Sequence, residues 1–302
     1  MSKEGNQVTP DFNVASMLAK YANYMYKDEA YSRHESCISG DTLVRSFTGV
    51  AGGNTENFAA IYKSGSQANT YIIAFKGTAT KMDAFEDALV GSREFYPYKD
   101  AWAKHDMQWQ IHDGFYNIYS SFQSGIMSWI DANKGNIDLL YVTGHSLGGA
   151  LSTIFTYDNY QSFGHPFRIV HYNFASPMVG GTGVTDGGFV AKYNELDNNQ
   201  TIRIVNTRDL VPCLPGGILN YGHIGNYYDL NFALSEYRYS GALDPGVLKL
   251  AKIFLDIVTI NPSMAAGDIL RILANHSMDN YEHVISRQGS TWTWEGHAMV
   301  SW

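Results

Sequence analysis

The chain has 302 residues and a formal net charge of −8 at pH 7, with 45% of its residues hydrophobic and 17% charged. That balance suits a globular protein long enough to bury a large core, and without a cationic block it offers a nucleic acid no electrostatic footing. The longest apolar segment, Val247 to Ile260, is broken by Lys249, Lys252 and Asp256, so it is too short and too charged to span a bilayer.

The first ten residues, MSKEGNQVTP, are polar and do not read as a Sec-type signal peptide. Apolar side chains at helical spacing predict a helix over residues 14–26. Strands follow at 58–64 and 69–77, the second almost wholly apolar, as a strand buried on both faces should be. In TKMDAFEDALVG, residues 80–91, Met82, Phe85 and Leu89 share one helical face; periodicity alone favours a surface helix packed permanently inward. Residues 115–130 carry Phe115, Ile118, Phe122, Ile126 and Trp129 at three- and four-residue steps, an amphipathic helix with Asp113 and Gly114 as its expected caps.

A strand at 137–143 then meets a glycine–serine turn, a helix starting at Leu147, and further strands at 167–176 and 201–207. The run GGTGVTDGG, 180–188, lacks the spacing of a phosphate cradle and reads as a flexible loop. Residues 244–274 predict two helices, the first opened by Asp244 and Pro245. No repeat or linker divides the chain, so residues 1–302 read as one domain. Strands alternating with helices over short connections predict an α/β fold, its mostly parallel sheet flanked by helices. Cys37 and Cys213 read as free, mostly buried thiols, with one disulfide as the competing reading. No His/Cys/Asp set has metal-ligand spacing, and no cofactor is implied.

Gly144-His145-Ser146-Leu147-Gly148 fits G-x-S-x-G, and its place between a strand and a small-residue helix is what a nucleophile elbow requires. A serine there needs a base and an orienting acid, which on this fold follow it in the order acid, then histidine. Asp209 is the acid candidate, because RIVNTRDLVP delivers it from a strand into a proline-flanked loop. Order leaves His276 and His283 as competitors for the base, with His223 set too soon after Asp209. Two backbone N–H groups should form the oxyanion hole, one from Leu147 and one from Thr78 in the loop after strand 69–75.

These pieces, AFKGTAT, FEDAL, IHDGFYNIYSS, YVTGHSLGGALS, NFASPMVG, RIVNTRDLVPCLP and NHSMDNY, resemble the class 3, fungal-type triacylglycerol lipases in the family's own order across residues 69–281. The resemblance implies the α/β-hydrolase fold, with Ser146 as nucleophile, Asp209 as acid, His276 rather than His283 as base, and Thr78 with Leu147 as the oxyanion hole. It also implies that 80–91 is a mobile lid and that 244–274 is an enlarged helical insertion. Lys76 and Met178 depart from the arginines usual at those places, both framework positions. The expected substrate is an ester lipid at a lipid–water interface, with phospholipase A1 or a feruloyl-type esterase as the alternative. A catalytically silent scaffold is the reading from another class. The resemblance favours a secreted protein, whereas the polar start suits a cytoplasmic one or another export route.

Overall fold

The computed structural model describes residues 5–27, 36–77, 92–94, 110–182, 188–198, 200–214, 221–231 and 275–288. Thr78, the expected lid at 80–91 with Met82, Phe85 and Leu89, and the expected insertion at 244–274 lie outside those residues.

The strands in chain order are β1 (Thr42–Ala51), β2 (Asn54–Lys63), β3 (Thr70–Phe75), β4 (Ser92–Glu94), β5 (Gln110–His112) and β6 (Leu139–His145). After them come β7 (Arg168–Phe174), β8 (Gly180–Gly181), β9 (Ile202–Asn206), β10 (Tyr221–Gly222) and β11 (Asn226–Leu230). The helices are α1 (Phe12–Tyr24), α2 (Asp113–Asn133), α3 (Leu147–Phe163), α4 (Gly188–Asp197) and α5 (Met278–Gln288). Seven strands build the main sheet in the order β1-β2-β3-β6-β7-β9-β11. Pairing is antiparallel from β1 to β3 and parallel from β3 onward, so the sheet is mostly parallel, as an α/β-hydrolase fold requires.

Side chains on a strand alternate between faces, and here both faces are apolar. Ile73 and Phe75 of β3 enter one core with Phe115, Phe122 and Ile126 of α2 and Leu151 and Phe155 of α3. Ile72 and Ala74 enter the other, with Leu18 and Ala22 of α1 and Tyr281 and Val284 of α5. Every residue of β3 is buried, which is why it reads as an unbroken apolar run. Each fully buried side chain the size of Phe75 contributes about 2–3 kcal/mol.

Several elements depart from the sequence reading. β1 was not expected, since much of it is exposed, Val44 and Val50 included, and only Phe47, Gly49 and Ala51 are buried. Gly52 and Gly53, at φ +53° and +76°, join it to β2 in the left-handed geometry that a tight hairpin needs. β11 is short and half-polar, and is held by its parallel register with β9. The helix expected from residue 115, with Asp113 and Gly114 as caps, starts two residues earlier at Asp113. His112 occupies the cap position without a side-chain capping bond, and Asp113 sits in the first turn, where its charge favours the helix N-terminus. The glycine run expected to be a loop begins instead as β8, paired with β10 and pressed against Phe189. Cys37 and Cys213 are both free thiols.

A buried polar network joins α3, β7 and α4. The Ser152 hydroxyl donates to the Gly149 carbonyl at 2.8 Å and accepts from His171 Nε2 at 2.9 Å. His171 Nδ1 then accepts from Tyr193, also at 2.9 Å. Burial pushes His171 down to about 3, so it stays neutral in the fold while the unfolded chain takes up a proton near pH 6.5. Stability from His171 is therefore present above pH 6.5 and is lost as pH falls toward 3. Asp197, in contact with the same network and pushed up to about 6 by burial, acts with the opposite sign over a narrower range. We expect the urea midpoint to fall between pH 7 and pH 4, and His171→Gln to make that fall shallower. Equal pH slopes for the two proteins would refute this assignment.

Candidate active site

β6 ends at His145 and α3 starts at Leu147, leaving Ser146 alone at the turn with φ +58° and ψ −125°. A non-glycine residue in that region stores about 1–3 kcal/mol of strain, so the surrounding packing must hold it there. Gly144 and Gly148 flank it for steric reasons: a Cβ on Gly144 would overlap the Gly148 carbonyl, and one on Gly148 would overlap the Phe75 carbonyl. The Ser146 N–H donates to the Phe174 carbonyl at 3.0 Å, tying the turn to β7. Leu147 opens α3, where an N–H has no carbonyl one turn earlier in the helix and is available to an anion.

Asp209 lies three residues past the end of β9. Its N–H donates to the Asn206 carbonyl at 3.0 Å, and its Oδ1 accepts from the Val211 N–H at 2.9 Å, a local Asx turn. The other oxygen, Oδ2, accepts from His276 Nδ1 at 2.8 Å and from the Tyr281 hydroxyl at 2.9 Å. Tyr281 is itself oriented by the Asn206 N–H, which donates to its oxygen at 2.7 Å. The Asp209 side chain is fully buried, and three donors take the place of water around it.

His276 completes the chain of contacts. Because a carboxylate only accepts, the proton sits on Nδ1, and Nε2 faces the Ser146 hydroxyl at 2.8 Å as an acceptor. The structure thus brings Ser146, Asp209 and His276 together. The competing histidines go elsewhere: His223 is buried and donates through Nε2 to the Pro212 carbonyl at 2.7 Å, and His283 lies two turns into α5. Tyr281 closes the NHSMDNY motif, yet the sequence reading gave it no role. Of the two departures from the expected arginines, Lys76 pairs with Glu56 at 3.2 Å and Met178 is buried.

A hydroxyl hydrogen-bonded to a neutral imidazole, itself oriented by a buried carboxylate, is the apparatus of nucleophilic acyl transfer. Among the described residues no helix is long and apolar enough to cross a membrane.

Residues 72–218 match the family described as Lipase (class 3). The chain is 25% identical over 175 residues to the chloroplastic galactolipase DONGLE of Arabidopsis thaliana, covering 50% of this chain and 35% of that protein. It is 28% identical over 184 residues to the secreted mono- and diacylglycerol lipase 1 of Fusarium solani, covering 57% of this chain and 53% of that protein. The chain thus spans about a third to a half of the length of these curated relatives. Among solved structures, the Rhizomucor miehei lipase propeptide complex superposes with a TM-score of 0.58 at 21% identity, covering 74% of this chain and 70% of that one. At that identity the likeness is one of fold.

Proposed function

We propose that the chain, whose residues 72–218 match the class 3 lipase family, is a serine carboxylic-ester hydrolase acting on acylglycerols. Ser146 Oγ attacks the ester carbonyl while His276 Nε2 takes its proton. Asp209 holds the imidazole in the Nδ1–H tautomer and stabilises the imidazolium. The Leu147 N–H and that of Thr78 bind the oxyanion, His276 returns the proton to the departing alcohol, and water hydrolyses the acyl-enzyme by the same steps in reverse. The family resemblance assigns the role of lid to residues 80–91, which carry Met82, Phe85 and Leu89. The observation that carries this reading is the pair of 2.8 Å contacts that link Ser146, His276 and Asp209.

The galactolipase among the relatives supports a second reading, an acyl hydrolase of polar lipids. A panel of emulsified triglyceride, lecithin and digalactosyl diglyceride, run below and above lipid saturation, separates the two. Triglyceride turnover that rises at saturation is expected. Turnover confined to the polar lipids would move the assignment to them, and a chain inert to all three and to a fluorophosphonate probe would end it.

A further inference from the structure

A second imidazole lies against the base, and the steps above leave it unused. His145, the residue before the nucleophile, is buried, with its ring centroid 4.6 Å from that of His276 and the planes inclined by 34°. Its Nε2 is 2.8 Å from the main-chain oxygen of His276. A carbonyl only accepts, so Nε2 carries the proton and Nδ1 is left as an acceptor. The hydroxyl of Tyr26, 2.7 Å away, donates to that Nδ1. Tyr26 lies just past the end of α1, and its hydroxyl rests on the backbone of Gly77, where a Cβ would overlap it.

The same corner is tied a second way. Asn23 of α1 donates through Nδ2 to Asp279 and Glu282 of α5, both at 2.7 Å, so the helix leading to Tyr26 and the one following the base are clamped together. Three segments far apart along the chain therefore meet at one tyrosine hydroxyl and one imidazole: the loop leading to Thr78, the serine turn and the loop of the base.

We propose that Tyr26 and His145 are a positioning pair for the base: the His145 N–H holds the His276 main chain to the serine turn, and the Tyr26 hydroxyl fixes the tautomer that makes this bond. The proposal rests on the hydrolytic reading above. The bond makes nucleophile and base a single rigid unit, so the 2.8 Å contact between Ser146 Oγ and His276 Nε2 persists when substrate enters. Burial, together with the neighbouring His276, holds His145 well below the ordinary histidine range, so it stays a neutral donor. It neither competes for the serine proton nor repels the imidazolium that forms beside it. Of the other groups facing it, Tyr26 and the Tyr281 ring at 5.8 Å are also uncharged.

The test uses kcat and KM on p-nitrophenyl butyrate, with fluorophosphonate titration to count competent sites and urea unfolding to check the fold. Tyr26→Phe keeps the ring and is expected to lower kcat about fivefold with KM unchanged, the worth of one hydrogen bond. His145→Ala is expected to lower kcat about 10²-fold, the effect of a base displaced by about 1 Å. His145→Gln restores most of that loss, because a carboxamide supplies a donor for the His276 carbonyl and an acceptor for Tyr26. In the His145→Ala background, Tyr26→Phe adds nothing, since its effect runs through the missing imidazole.

A His145→Gln variant as poor as His145→Ala, a loss expressed in KM, or an undiminished Tyr26→Phe effect in the alanine background would overturn the proposal. An unlabelled, inactive wild-type chain would instead overturn the hydrolytic reading on which it stands.

Discussion

Replacing Ser146 with alanine is expected to lower kcat for ester hydrolysis by about 10⁶-fold while leaving the fold in place. The size follows from what is removed. Without Oγ no acyl-enzyme forms, and His276 has no hydroxyl from which to take a proton; only binding and the oxyanion donors remain to assist direct attack by water. The fold should survive, because alanine keeps the Cβ that the turn already accommodates at φ +58° and deletes only an oxygen whose partner is His276. Urea unfolding and residual turnover on p-nitrophenyl butyrate, measured on the same preparation, decide the matter. A folded Ser146→Ala protein with more than about a hundredth of wild-type kcat sinks the assignment of the nucleophile.

Asp209→Asn is expected to cost about 10⁴-fold in kcat with little change in KM, through the tautomer of the base. In the native protein Oδ2 accepts from both His276 Nδ1 and the Tyr281 hydroxyl, and Oδ1 accepts from the Val211 N–H. An asparagine keeps its carbonyl toward Val211 and turns its amide nitrogen, a donor, toward His276. The imidazole answers by moving its proton to Nε2, so that the serine hydroxyl then faces a donor and loses its base. Fluorophosphonate labelling of Ser146 should slow in parallel, since it needs the same proton acceptor. A loss smaller than tenfold, in a variant whose unfolding midpoint matches wild type, would show that another group orients His276.

The strands that were legible in the sequence are those buried along most of their length. β3 is an apolar run because the sheet is covered on both faces, and β6, β7 and β9 keep much of that character with buried polar residues such as His171, Asn173 and Arg203 among them. β1, β11 and the small sheet of β4, β5, β8 and β10 were not legible, because each is short or polar on one side and owes its conformation to a partner strand. The site divides in the same way. Ser146 was recognisable because strand, turn and helix lie within a few residues of it. Asp209 followed from chain order and the strand before it.

What the sequence determined alone is the local apparatus: the turn that strains Ser146, the glycines that admit close backbone contact and the apolar strands that set the sheet. What only the tertiary structure decided is partnership. Chain order leaves His276 and His283 open until the resemblance selects His276, and nothing in residue type marks the roles of Tyr281 or of the Tyr26–His145 pair, whose members lie 119 positions apart. The reason is directional: a hydrogen bond needs a donor and an acceptor aligned to within a fraction of an ångström. Packing of distant segments produces that alignment, and no periodicity along the chain records it.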